Sequence, residues 1–195
     1  MLCYAMTAVE IRRWLFLLTA CLIALIAAPS NIQNQTIRIQ SMSFDKFQFR
    51  DFIRRTLQAV DLHCERSEDL LLKTAAQESK FGTYIYQIGG GPGKGPWQVE
   101  PNTERSLWEN TLKYKPLLRD KIIQLTGVSG PNPDALEGNM RYNLIMARLK
   151  YYTIKQPLPD ANDTKTQADY WKKYYNTFLG DGTIEQFIAA AKKYT

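Results

Sequence analysis

Histidine, cysteine and regular apolar/polar alternation are all scarce in this chain, and each scarcity narrows what it can be. His63 is the only histidine among 195 residues, and Cys3, Cys21 and Cys64 are the only cysteines. Without a Cys-x-x-Cys pair or a histidine cluster, no zinc site is expected. A nucleophile pair made of His63 and Cys64 is disfavoured, because adjacent residues on a helix or strand point apart. No alternating run is long enough for a central strand, so the chain reads as mainly α-helical. A small β-hairpin in a glycine-rich loop is the one place left for extended pairing.

That loop, Gly89 to Gly95, lacks the signatures that would make it a nucleotide cradle. A Walker A loop needs glycine where Ile88 stands and serine or threonine where Gly95 stands. A dinucleotide fingerprint needs a preceding strand and a third glycine at the correct spacing; here a helix precedes and that glycine is missing. Glycine also lets a backbone approach a sugar chain closely, which suits a cleft, although a plain surface turn uses it equally well. The net charge of +6 fits nucleic acid or an anionic envelope polymer. Basic pairs such as Arg54-Arg55, Lys172-Lys173 and Lys192-Lys193 are scattered and carry no nucleic-acid motif, so no nucleic acid is expected, and the charge alone decides nothing further.

The first 41 residues form a segment of their own. Arg12-Arg13 precede an uninterrupted apolar run from Trp14 to Ala28, followed by Pro29-Ser30-Asn31. A basic, then apolar, then small-residue order is that of a secretory signal or short anchor, which would place residues 14–28 against the inner membrane. The run is shorter than the ~20 residues that span a bilayer comfortably. Met42-Ser-Phe-Asp45 also resembles a natural start, a second reading in which residues 1–41 would not be translated. The domain proper is taken as residues 42–195 and is expected to be monomeric.

Helices follow one another through that domain. Phe49, Ile53, Leu57 and Val60 recur at core-facing spacing between Phe44 and Asp61. Helices are read from Thr103 to Tyr114 and from Leu117 to Thr126. Asn132-Pro133-Asp134 supplies an N-cap, a first-turn proline and an acid, opening a helix that buries Leu136, Met140, Leu144, Ala147 and Tyr151. Asn143 falls on the same stripe and must find partners there, in a loop backbone or a cleft. Thr164 with Gln167 and Thr183 with Gln186 read as capping boxes for two further helices, the first burying Ala168, Trp171, Tyr175 and Phe178. Gly180-Asp-Gly182 separates them.

The chain is organised around the helix read from Ser67 to Gly82, with Ser67 as N-cap, Glu68 and Asp69 in the first turn and Gly82 as C-cap. Leu71, Thr74, Ala75 and Glu78 share its apolar stripe. A carboxyl on such a stripe is desolvated, its pKa rises, and it can be protonated near neutral pH. A general acid needs that property.

Glu78-Ser79 at a helix end, Gly95-Pro-Trp-Gln98-Val across a glycine loop and Tyr175-Asn176 far downstream resemble, in that order, the lytic transglycosylases of the lysozyme superfamily. Phage-encoded members are the nearest in pattern. Pro96 and Trp97 stand where the family has Leu and Met, and Tyr174 where it has Ala, departures that bear on substrate contacts more than on the acid. The resemblance implies a lysozyme-like helical domain of goose or SLT type that cleaves the MurNAc–GlcNAc bond of peptidoglycan strands. No cofactor is implied. Glu78 would be the single acid/base, Ser79, Gln98, Tyr175 and Asn176 the substrate contacts, and Asn143 a support behind the site. It also implies work in the bacterial envelope, or in a virion or the host cytoplasm before lysis if translation starts at Met42. Two alternatives stay open: a hydrolytic muramidase with Glu100 or Glu104 positioning water, and a non-catalytic wall-binding or virion protein. Trp97 and Trp108 are candidates for sugar stacking or for the core.

Overall fold

The computed structural model describes residues 43–176 and 180–195. The apolar run 14–28, both readings of the first 41 residues, and Phe178 lie outside the described residues. Everything described is helix or loop. α1 (Lys46–Ala59), α2 (Glu65–Ser79), α3 (Pro101–Asn110), α4 (Pro116–Thr126), α5 (Pro133–Gly138), α6 (Met140–Tyr152), α7 (Thr164–Trp171) and α8 (Ile184–Tyr194) follow in order. A 3-10 turn, Leu112–Tyr114, joins α3 to α4, and a π turn, Lys172–Asn176, continues α7. The glycine loop pairs only through single antiparallel bridges, Tyr86 with Lys94 and Lys94 with Val99. The hairpin is thus reduced to a pinched loop, without a ladder. No helix among the described residues is long and apolar enough to cross a membrane.

α2 is the axis of the fold, packed by α1, α6 and α8, while α3, α4 and α5 gather on α6 and α7 lies on α8. Ser67 through Ala76 are buried without interruption, so α2 is enclosed on all sides and has no solvated face over that span. Leu70, Leu71 and Leu72 are at most 1% exposed, each adding roughly 2 kcal/mol of burial. Enclosure forces Glu68, Asp69 and Lys73 inside as well. Each is compensated: Arg54 and Arg50 donate to Glu68 and Asp69, and Lys73 Nζ donates to Asp69 Oδ2 at 2.7 Å and Gln167 Oε1 at 2.8 Å. Glu68 and Asp69 were read only as first-turn acids; in the fold they, with Lys73, tie α1 and α7 to α2.

Several helix ends differ from the sequence reading for local reasons. α2 starts at Cys64, not Ser67; Ser67 is the fourth residue of a reversed capping box, its Oγ accepting from Cys64 N at 3.0 Å. α3 starts at Pro101, where proline needs no N–H partner, two residues before Thr103. Asn132 caps as expected, accepting from the Asp134 and Ala135 amides, but its helix stops at Gly138 and Asn139 recaps a separate α6 through Tyr142 N. Asp163, not Thr164, caps α7, which frees Gln167 for the buried charges. The Thr183–Gln186 capping box forms as read.

Candidate active site

Glu78 lies in the last turn of α2, and the way that helix ends fixes its position. Lys80 is the C-cap, and Lys80, Phe81 and Gly82 all take positive φ, 50°, 59° and 75°. Gly82 therefore sits two residues beyond the cap it was expected to form. Two left-handed non-glycine residues in a row are strained by about 1 kcal/mol or more each. Phe81 is held there by burial against Phe49 and Tyr194. Ser79 completes the turn, its Oγ donating to Ala75 O at 3.1 Å and accepting from Gly82 N at 2.8 Å. Ser79 Oγ thus serves its own helix end, whereas the resemblance implied a substrate contact.

The glycine loop is bolted beneath this helix end. Trp97 is fully buried, stacks on Phe49 at 5.2 Å and donates Nε1–H to Leu71 O at 2.9 Å. Asn143 accepts from Trp97 N at 3.0 Å and donates to Lys94 O at 2.9 Å, so both ends of its amide hold the loop. Gly95 is required by space and by backbone: its φ is +71°, and a Cβ would lie 2.5 Å from Leu136 O and 2.6 Å from Asn143 Cγ. Gln98, itself at φ +48°, donates Nε2–H to Gly95 O at 2.8 Å and Ile85 O at 3.3 Å. Its Oε1 is buried without a partner among the described residues. Trp108, whose Nε1 donates to Tyr142 Oη, is likewise core, so neither tryptophan offers a free sugar-stacking face.

The Glu78 carboxyl is half-buried and ringed by aromatic side chains. Trp171 Nε1–H donates to Oε1 at 2.8 Å, with the indole packed on Phe187. Burial pushes the Glu78 pKa up to about 7, while the Trp171 hydrogen bond and the Lys150 charge pull it down and Glu100 pushes it up. Burial is the largest of these effects. Tyr151 and Tyr175 feel the Glu78 charge, and both phenols are held well above their ordinary pKa, chiefly by burial. Tyr151 Oη meets Thr74 Oγ1 at 2.8 Å, and Tyr175 Oη donates to Trp97 O at 2.6 Å. Lys150 Nζ donates to Tyr175 O at 2.7 Å and lies 4.0 Å from the Tyr175 ring centroid.

Of the residues read from sequence, Glu78 and Tyr175 therefore come together, with Asn143 and Gln98 supporting the loop between them. Asn176 turns elsewhere: its Oδ1 accepts from Lys172 Nζ at 2.7 Å, and it lines the Gly180–Gly182 turn. A Cβ at Gly182 would lie 2.6 Å from the Trp171 ring, so this turn backs the indole that reaches Glu78. Glu104 is fully buried, and its Oε1 accepts from Tyr142 Oη and from Asn132 N. Glu100 is exposed, and its charge acts on both Glu78 and Lys150. Trp171 and Lys150 were missed as site residues. The available signals were that Trp171 precedes Tyr175 by one helical turn, and that Lys150 follows Asn143 by seven positions on one helix.

Among the described residues no group of three His, Cys, Asp or Glu side chains is placed to hold a metal ion. A cavity of about 700 Å3 between Val60–Leu62 and α4 does not include Glu78. What distinguishes Glu78 is its chemical state: a half-buried carboxyl that titrates near neutrality beside a neutral donor. Compared with known proteins, the chain matches no family model, no curated protein and no solved structure.

Proposed function

We propose that this protein is a peptidoglycan lytic transglycosylase of lysozyme-like fold, with Glu78 as its single acid/base. The observation that carries the reading is the Glu78 carboxyl, raised to about 7 by burial and hydrogen-bonded by Trp171. At neutral pH such a group is protonated about half of the time, and its conjugate base has a donor waiting. Glu78 gives its proton to the departing glycosidic oxygen. The carboxylate left behind is stabilised by the Trp171 N–H and the Lys150 charge. It then takes the proton from the 6-hydroxyl of the same muramic acid, whose oxygen bonds to the anomeric carbon and closes a 1,6-anhydro ring. Proton count and charge balance over the cycle, and no water is consumed.

A hydrolytic muramidase is the second reading, favoured by one observation: the field of Glu100 reaches Glu78. A carboxylate of that kind would have to orient water about 6.5–9.5 Å across the site from the acid in an inverting enzyme. Glu104 does not suit the role, because its carboxylate is enclosed and already hydrogen-bonded. Digestion of purified murein by the wild type and Glu78→Gln tests the proposal. Turnover that survives in the variant contradicts it, and a wild type that binds murein without cleaving it would make the protein a wall-binding one.

A further inference from the structure

The 3-10 turn Leu112–Tyr114 and the first turn of α4 form a tip that the candidate active site does not use. Leu112 and Ile122 are fully buried and fix its two ends. Pro116 opens α4, where proline needs no N–H partner. Leu117 follows it, about 140° round the helix from Ile122, and points away from the core. It is 81% exposed, and Tyr114 is 71% exposed. Tyr152, at the end of α6, is exposed too; with Leu62, Leu117 and Leu118 it lines the cavity of about 700 Å3 beside α4.

Cations without counter-ions gather at these rings. Lys121 pairs with Asp61, and Arg119 with Asp120. Lys113 and Lys115 make no ion pair among the described residues, and Glu109, one helical turn before Lys113, leaves it unpaired. Lys113 Nζ lies 5.6 Å from the Tyr114 ring centroid, and Lys115 Nζ lies 5.1 Å from that of Tyr152. The Arg148 guanidinium carbon is 5.7 Å from the same Tyr152 ring. Arg148 is buried and likewise has no ion pair among the described residues, so the tip carries an uncompensated positive field.

Apolar and aromatic side chains standing out among unpaired lysines fit a bilayer surface better than other partners. Lysine is depleted at protein–protein interfaces, and a symmetric contact between two copies would set like charges together. Nucleic acid offers phosphates to the lysines but little apolar volume to Leu117. At an anionic bilayer the ammonium groups meet lipid phosphates, while leucine and tyrosine sit at the boundary of headgroup and acyl chain. We propose that this tip docks the protein on anionic phospholipid membrane, with Leu117 and Tyr114 entering the headgroup layer and Lys113 and Lys115 on the lipid phosphates. Docking there is separate from the chemistry of Glu78 and needs no bond cleavage.

The test is co-sedimentation of the full chain with vesicles of phosphatidylglycerol and phosphatidylcholine in equal parts, and with vesicles of phosphatidylcholine alone. Stronger partitioning onto the anionic vesicles is expected, weakened about tenfold or more by Leu117→Glu and by Lys113→Gln with Lys115→Gln. Position 117 is exposed and in a first turn, where an acid is favoured, so Leu117→Glu keeps the fold. Lys165→Gln with Lys192→Gln removes the same charge at exposed sites on α7 and α8 and should stay within about twofold of wild type. Hydrogen exchange locates the contact: the Leu117 and Leu118 amides lie in a first turn without a side-chain cap, and anionic vesicles should slow them. Partitioning that Leu117→Glu leaves unchanged, as it would be if residues 14–28 carried it alone, overturns the proposal, and so does unslowed exchange. Equal weakening by the Lys165 and Lys192 changes would reduce the attraction to net charge and overturn it as well. A dimer that forms without vesicles and is dissolved by Leu117→Glu would assign the tip to a second copy instead.

Discussion

Replacing Glu78 by Gln should make the protein more stable, but only above the pH at which Glu78 ionises. In the unfolded chain Glu78 titrates at its ordinary 4.5, and in the folded protein burial holds it at about 7. Between those values the unfolded state releases a proton that the folded state keeps. Stability from this group is therefore fully present below 4.5 and is lost as pH rises through 7. A span of about 2.5 pH units at ~1.4 kcal/mol per unit amounts to roughly 3 kcal/mol. Gln has the same shape, still accepts from Trp171 Nε1 and does not titrate. Urea unfolding of both proteins at pH 4.5 and pH 8.5 isolates the effect, because every other group cancels in the difference. The expected result is near-equality at the lower pH and a Gln variant more stable by about 3 kcal/mol at the higher one. A variant that is equally or less stable at pH 8.5 would mean that the carboxyl is solvated, and the acid assignment would lose its physical basis.

Trp171→Phe removes the donor that stabilises the Glu78 carboxylate, so the alkaline limb of wall-clearing activity should move up by about one pH unit, the equivalent of ~1.5 kcal/mol for a hydrogen bond to a charged group. A pH–rate profile with an unmoved or lowered limb would refute that role. Gly95→Ala forces a Cβ to 2.5 Å from Leu136 O at a φ of +71° and should destabilise the protein by about 2 kcal/mol or more in thermal unfolding, with activity falling as the loop shifts. Wild-type melting and activity would contradict the packing around Asn143. Asp69→Ala strands Lys73 inside the fold and should lose about 3–5 kcal/mol of unfolding free energy. Lys73 and Arg50 hold the Asp69 pKa well below its usual range, so this contribution is present above 3.8 and fades as pH falls further; a variant as acid-resistant as the wild type would count against it.

Features that depend on a few neighbouring residues were legible in the sequence. Asn132-Pro133, the Thr183–Gln186 box and the Phe49–Ile53–Leu57 stripe each carry their own cause within one or two turns. Glu78 was legible for the same reason, since its place on the α2 stripe follows from spacing alone. Errors arose where two equivalent caps compete one residue apart, as Asp163 does with Thr164, or where a mid-pattern Asn139 restarts a helix. Other errors arose where partners are distant. The buried state of Asp69 depends on Gln167, 98 positions on, and the donor to Glu78 on Trp171, 93 positions on. Gln98 and Ser79 were singled out by motif, but their bonds to the backbone of this loop and helix end could be assigned only from the folded chain.

The identity of the nucleophile decides the account. Purified murein digested by the wild-type protein in heavy-oxygen water, with the fragments weighed by mass spectrometry, reads it directly. Muropeptides ending in 1,6-anhydro-muramic acid, lighter by one water than hydrolytic fragments and free of the heavy label, are the expected result. Reducing ends carrying heavy oxygen would show that water attacks the anomeric carbon, and the single-carboxyl mechanism would be wrong.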